Sequence, residues 1–461
     1  MRASRILAVI AAIFVAGTIV FAALAWRSEI TPIEVTTDGF DPAVVHKGAQ
    51  LAAVGNCIAC HTVPGKKAFA GGLALPTPFG TIHSTNITPD KETGIGTWSE
   101  AAFQRAMREG VDRKGRHLYP AFPYDHFTHV TDEDISALYA YLMTREPVVA
   151  EAPANDVIFP LGFRPLLAGW KLLFLHEGPL QANAERDQVW NRGAYLAEGL
   201  GHCGACHTPR NSLGAEEKDR HFAGGEAEGW VGYAIDEKAH APIPWDIEAL
   251  AFYLRHGWHE LHGVSRGPMA EVTGNLAGLP DSDIQAIAAY VASLMGEPDT
   301  GRQAAADMLR EEIAAGPGAQ VGEGDSQAVA ETGDDAPGAV IYASACATCH
   351  ESGRPLPFGG LDFRLSTAVN APSPQNIINV TLFGLPPADG EASAVMPAFA
   401  NTLTDQQVAD LLGYMRERFS DAPAWQGVAE MTRKTRSGEY KVAVRPADGI
   451  ERAPVNVGAE D

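Results

Sequence analysis

After Trp26 the sequence has no uncharged apolar run long enough to cross a bilayer, which excludes a polytopic membrane protein. Basic residues are scarce. Lys and Arg number 35 against 57 Asp and Glu, a net charge of −22. Phosphate backbones repel such a chain, so nucleic acid is excluded as a partner. Cysteines are few, six in 461 residues, enough for three disulfides at most. There is no P-loop, no dinucleotide fingerprint and no hydrolase triad. Gly-rich pieces such as TGIGTW lack the strand–helix context that phosphate binding needs. What remains is 46% hydrophobic and 20% charged, ordinary for folded protein and enough for about three domains.

The first thirty residues set the compartment. Arg2 and Arg5 precede Ile6–Trp26, which carries no charge over 21 residues. As a helix this run reaches about 31 Å, a bilayer's width. A secretory signal has a shorter apolar region, although cleavage after Ala23-Leu24-Ala25 is the alternative. The leading arginines keep the N-terminus cytoplasmic, so both readings export the rest of the chain.

All six cysteines fall in three like frames: Cys57-Ile58-Ala59-Cys60-His61, Cys203-Gly204-Ala205-Cys206-His207 and Cys346-Ala347-Thr348-Cys349-His350. This is the attachment pattern for c-type haem. Positions i and i+3 share one face of a helical turn, so two sulfurs reach two vinyl groups on one porphyrin edge. The following histidine, His61, His207 or His350, offers a ring nitrogen to the iron. A zinc half-site, a redox CxxC or three disulfides would leave the histidine after each pair unexplained. Three covalent haems are expected.

The frames are 146 and 143 residues apart, a domain's length. Each is preceded by a small-residue segment (HKGAQLAAVGNC, NRGAYLAEGLGHC, APGAVIYASAC) and followed by an amphipathic one (TDEDISALYAYL, PDSDIQAIAAYV, TDQQVADLLGYM). Asp132, Asp281 and Asp405 stand where helix starts favour acids. The expected fold is mainly α: three tandem class I cytochrome c domains behind an N-terminal transmembrane helix. The boundaries are 1–30 for the anchor, 40–150 for domain 1, 151–185 for an apolar connector and 186–297 for domain 2. An acidic flexible linker over 298–335, domain 3 over 336–420 and an extended C-terminal tail over 421–461 complete the chain. Residues 299–335 hold nine acids and two bases, the composition of a solvated tether. The connector is apolar and aromatic, and should pack on its neighbours, a partner or a membrane.

Distal ligands are read by elimination. Met143, Met295 and Met415 sit in or at the end of closing helices and read as core, as does Met107. Met269 and Met396 lie in the loops before the closing helices of domains 2 and 3, placed to reach a distal haem face. The corresponding loop of domain 1, YPAFPYDHFT, has no methionine. His126 is the chosen ligand there, with His117, His129 or a five-coordinate iron left open. His ligation makes haem 1 the lowest-potential centre.

The chain resembles the tri-haem cytochrome c subunits of bacterial membrane-bound periplasmic dehydrogenases over nearly all of residues 40–430. The likeness is carried by AGGLALPTPFGTIHSTNITPDKETGIGTWS, GHCGACHTPRNSLGAE, CATCHESG and MPAFANTLTDQQVADLL. It implies an electron-transfer subunit on the periplasmic face of the inner membrane, passing electrons from a catalytic dehydrogenase subunit to membrane quinone or a terminal oxidase. YPAFPYDHFT with FRPLLAGWKLLF is most similar to the versions paired with molybdenum hydroxylases, which bring molybdopterin and [2Fe–2S] subunits. A quinoprotein alcohol dehydrogenase or flavin sugar dehydrogenase is the alternative partner. A stand-alone multihaem peroxidase or reductase is the rival activity.

Overall fold

The computed structural model describes residues 2–36, 39–315, 336–387 and 393–442, with side chains from residue 5 onward. The chain is mainly helical, with three small antiparallel sheets among the described residues. It divides into two compact units. One holds Met1–Ala184 and Tyr195–His202, the other Glu185–Ala194 and Cys203–Arg452.

In the first unit, Asp41 caps the helix Pro42–Val54 by accepting from the Ala43 N–H. This helix crosses the helix Asp132–Met143. The crossing is close because residue 48 is glycine. A Cβ there would lie 2.7 Å from both the Ala137 carbonyl carbon and the Tyr141 Cβ. Thr131, and not Asp132, is the N-cap of the second helix, and its hydroxyl accepts from the Asp134 N–H. Asp132 is the first helical residue, where an acid suits the dipole. Lys47 pairs with Asp134 across the crossing at 2.5 Å. The strands Ala74–Thr77 and Gly80–His83 form a hairpin, to which Asp156–Val157 adds an edge. The helix Arg2–Ala25 stands clear of the unit over most of its length. It is the sole candidate membrane span among the described residues, and none of that span is buried.

The same crossing recurs twice in the second unit. A Cβ on Gly193 would meet the Ala286 backbone and lie 2.8 Å from the Tyr290 Cβ; one on Gly338 would meet the Asp410 backbone and lie 2.8 Å from the Tyr414 Cβ. Thr404 forms a full capping box with Gln407 at the start of Asp405–Phe419. Two of the three expected haem domains therefore fall in one unit, and the contacts show why. Asn376 brackets Val231 with two hydrogen bonds at 2.9 Å, and Asn379 donates to the Gly229 carbonyl at 2.9 Å.

Two expectations need correction. The acidic linker is not a tether throughout: Thr300–Ala314 is a helix capped by Asp299. Its Ala306 is fully buried beside Ile243 and Leu365, with Leu309 and Ile313 packed alongside. Asp307, Glu311 and Glu312 occupy other positions on the helix, so composition hid the short apolar stripe. The remainder, 316–335, lies outside the described residues. The tail is also not simply extended. Val428–Ser437 is a helix that buries Val428, Thr432 and Thr435, a face too small and polar to read as an apolar period.

Candidate functional site

Each CxxCH frame forms one short helical turn: Cys57–His61, Gly204–His207 and Ala347–His350. No cysteine is disulfide-bonded.

The three histidines are held alike. Nδ1 of His61 lies 2.6 Å from the Thr85 carbonyl oxygen. Nδ1 of His207 lies 2.6 Å from that of Tyr233, and Nδ1 of His350 2.7 Å from that of Leu361. A carbonyl can only accept, so Nδ1 carries the proton and Nε2 presents a lone pair. That tautomer is the one a metal-ligating imidazole needs, with its second nitrogen fixed by an outer partner. Burial also pushes all three imidazoles below their usual range, which keeps them neutral.

A glycine pair builds each acceptor loop. The Gly71 N–H donates to the His61 carbonyl and that of Gly224 to the His207 carbonyl, both at 2.8 Å. The Gly360 N–H donates to the Cys349 carbonyl at 3.0 Å. A Cβ on Gly360 would strike the His350 ring at 2.7 Å, and one on Gly71 would strike the Thr85–Asn86 backbone. Asn86 fixes that stretch by donating to Thr93 Oγ1 at 2.9 Å and to the Val148 carbonyl at 2.7 Å. In the first two sites the pair belongs to a repeated Phe-Ala-Gly-Gly, at 69–72 and 222–225. Phe69 and Phe222 take φ of 61° and 58°, and both rings are buried. Their N–H groups donate to Thr62 and Thr208, the residues after each CxxCH. In the third site Phe363 stacks on His350 instead, with ring centroids 4.0 Å apart.

The cysteines suit a neutral product. Burial pushes the Cys57 thiol up to about 12, and those of Cys206 and Cys346 up to about 11. Such sites resist a thiolate, while a thioether carries no charge and meets no such penalty. Thiol pair, neutral imidazole and glycine cradle together fit a covalently attached haem.

The distal candidates sit in two settings, Met396 in a loop as expected and Met269 on a helix and not in the expected loop. Met269 is the second residue of the helix Pro268–Leu276 and is half-buried. Gly267 before it has φ of 62° and presses on the Trp230 ring, which a Cβ would meet at 2.6 Å. Met396 is half-buried and pairs with Leu385 through two backbone hydrogen bonds of 2.9 and 3.0 Å. Arg266 links the two loops by donating Nε–H to the Gly384 carbonyl at 3.0 Å. Met107, Met143 and Met415 are buried core. In the first unit His126 is buried, with Nδ1 2.9 Å from the Glu198 carbonyl oxygen. His129 is half-buried, its Nδ1 3.1 Å from the Gly178 carbonyl oxygen. Both ring nitrogens of His117 are engaged, Nε2 with the Ala25 carbonyl and Nδ1 with Lys171 Nζ, each at 3.0 Å. His117 is therefore a structural residue.

Comparison with known proteins agrees with this geometry. Residues 45–146 match the family model for cytochrome c, and residues 333–415 match that for cytochrome c oxidase, cbb3-type, subunit III. A nicotinate dehydrogenase subunit of Pseudomonas putida is 46% identical over 420 residues. That match covers 90% of this chain but 34% of the relative, so the chain spans about a third of that protein. The gluconate 2-dehydrogenase cytochrome c subunit of Pantoea cypripedii is 38% identical over 420 residues, covering 87% of this chain and 89% of the relative. A diheme cytochrome c-type protein of Cereibacter sphaeroides is 39% identical over 255 residues, 53% of this chain and 84% of the relative. With three CxxCH turns whose histidines are held alike and a match spanning nearly the whole of a relative, the chain belongs to the family of cytochrome c subunits of dehydrogenases.

Proposed function

We propose that the chain carries three haem c groups and passes electrons from a catalytic dehydrogenase subunit to membrane quinone or a terminal oxidase. The observation that carries this reading is the threefold CxxCH turn, each with its histidine Nδ1 bonded to a loop carbonyl. In this reading Cys57 and Cys60, Cys203 and Cys206, and Cys346 and Cys349 hold the haems. His61, His207 and His350 are the proximal ligands, and Met269, Met396 and His126 the distal ones. Each iron, when bound, supplies one-electron chemistry. The protein's part is to fix ligand tautomer, burial and spacing, which set potential and direction. The chain runs as three haem domains, with the helix Arg2–Ala25 retained as an anchor and the rest on the periplasmic face of the inner membrane.

Haem content tests the number: the pyridine haemochrome of the purified chain should give three haems per polypeptide. Replacing both cysteines of one frame by Ala should remove one. A wild-type value of two sinks the three-site reading.

A molybdenum hydroxylase with molybdopterin and [2Fe–2S] subunits is the favoured catalytic partner. Its support is the YPAFPYDHFT loop and a relative named for nicotinate dehydrogenase, nicotinate being an N-heterocycle. Relatives named for gluconate, fructose and alcohol dehydrogenases support the alternative of a flavin or quinoprotein partner. Purification of the complex from membranes with metal analysis decides between them: molybdenum is expected, and a flavin or quinone cofactor in its place refutes the choice.

A further inference from the structure

The connector 151–185 carries an outward apolar surface that the electron-transfer reading does not use. Its helix Leu167–Phe174 buries Leu167, Ala168 and Lys171. Leu172 and Leu173 point out of the unit, 69% and 63% exposed, and the preceding loop exposes Phe159 at 96% and Phe163 at 60%. A helix apolar on both faces is not built for water.

What lies beside this surface identifies what covers it. The connector helix packs against the N-terminal helix Arg2–Ala25. The end of that helix is fixed to the same unit. Its Ala25 carbonyl accepts from His117 Nε2 at 3.0 Å, and His117 Nδ1 in turn accepts from Lys171 Nζ at 3.0 Å. Lys171 also donates to the Glu109 and Gly110 carbonyls at 2.5 and 2.7 Å. Just beyond, Arg105 donates to the Ser28 carbonyl at 2.8 Å, and Arg113 to the Glu29 carboxylate at 2.8 Å and the Ile30 carbonyl at 3.0 Å. The point where the span leaves the bilayer is thus locked to the connector helix through one histidine and one lysine. Trp26, 82% exposed, marks the level of the membrane interface.

We infer that the surface formed by Phe159, Phe163, Leu172 and Leu173 lies in the headgroup–acyl boundary of the bilayer that the N-terminal helix enters. It is a second, in-plane membrane contact. One span alone lets a domain swivel and tilt; a span with a neighbouring in-plane face fixes the first haem unit's orientation toward a membrane electron acceptor. This inference rests on the reading of Arg2–Ala25 as a retained span.

The test uses the full, haem-loaded chain in isolated membranes. The photoreactive residue p-benzoylphenylalanine is placed at Phe163 or Leu172, and at Phe14 in the span. Irradiation and peptide mass analysis are expected to show phospholipid adducts at all three positions. A protein adduct, or no adduct, at Phe163 or Leu172 overturns the inference. The Phe14 probe separates the two readings: lipid at Phe14 alone leaves the anchor standing without the in-plane contact. Lipid at Phe163 and Leu172 alone sustains the contact and removes the retained span.

Discussion

Gly48→Ala tests the close helix crossing beside the first CxxCH turn. Gly48 lies on the helix that leads into Cys57, where a Cβ would meet the Ala137 backbone and the Tyr141 Cβ on the closing helix. A methyl group there would sit 2.7 Å from the Tyr141 Cβ and closer still to the Ala137 oxygen, where ordinary contact starts at 3.4 Å. The helices must separate by roughly 1 Å, and overpacking of that kind costs about 1–3 kcal/mol. Alanine returns up to about 1 kcal/mol through helix propensity. Taking about 2 kcal/mol for the overpacking, the net loss is about 1–2 kcal/mol and lowers the melting temperature by roughly 2–8 °C for a unit of this size. Gly413 supplies the contrast. It is exposed within the helix Asp405–Phe419 and a Cβ would meet nothing within 4 Å. Gly413→Ala should raise stability by about 0.5–1 kcal/mol. The assay is thermal unfolding of the haem-loaded chain by circular dichroism, with haem absorbance recorded in parallel. A Gly48→Ala chain that melts at or above the wild-type temperature would refute a crossing this tight.

Met269→His and Met396→His should each lower one of the three potentials and remove one sulfur–iron absorption feature, read by potentiometric titration; three unchanged potentials would exclude the methionine from ligation. His126→Met should raise the lowest potential, and an unchanged haem 1 spectrum would exclude His126. Asp90 is buried, and the Thr93 hydroxyl and N–H, donating at 2.7 and 2.6 Å, hold its carboxyl below the usual carboxylate range. Its stabilisation is present above the unfolded-state pKa near 4 and is lost as pH falls through the folded value. Asp90→Asn should therefore cost about 1–2 kcal/mol at pH 7 in denaturant melts, with the gap to wild type closing below about pH 4; a gap that widens on acidification contradicts this.

Much of the site is legible in the sequence because covalent haem attachment demands fixed residue types at fixed spacing. The frames at 57, 203 and 346 need no structure to find. The glycine pairs after them are not legible in the same way, although the repeated Phe-Ala-Gly-Gly at 69–72 and 222–225 is plain to see. Its meaning lies in backbone geometry: glycine N–H groups reach the turn, and nearby carbonyls fix the imidazoles. Sequence marks the helix starts but leaves open whether each aspartate is the N-cap or a first-turn acid, since both positions attract similar side chains. Thr131 and Thr404 hold the cap, and the aspartates follow. The helix Thr300–Ala314 is hidden because its inward stripe is three residues, Ala306, Leu309 and Ile313, amid acids. Sequence chooses His126 for the first distal face but leaves His117 open beside it, and only the fold shows that both nitrogens of His117 are taken.

The three sites reach one hydrogen-bond geometry by two routes, and this separates what the chemistry requires from what the loop happens to be. At Phe69 and Phe222 the backbone enters the left-handed region, a strain of order 1–3 kcal/mol that a buried ring must offset. In the third site Phe358 is 77% exposed and is not among the positive-φ residues, and the strained turn is absent. Yet Gly360 still donates to the CxxCH turn, and Leu361 still accepts from His350 at 2.7 Å, within 0.1 Å of the other two sites. The phenylalanine turn is thus one way to deliver a carbonyl to Nδ1, and a 3₁₀ turn begun by Asp362, with Phe363 stacked on the imidazole, is another. That the first and third regions match different family models fits two loop constructions. The element common to all three is the neutral imidazole held by a backbone acceptor, the part that ligation of iron needs.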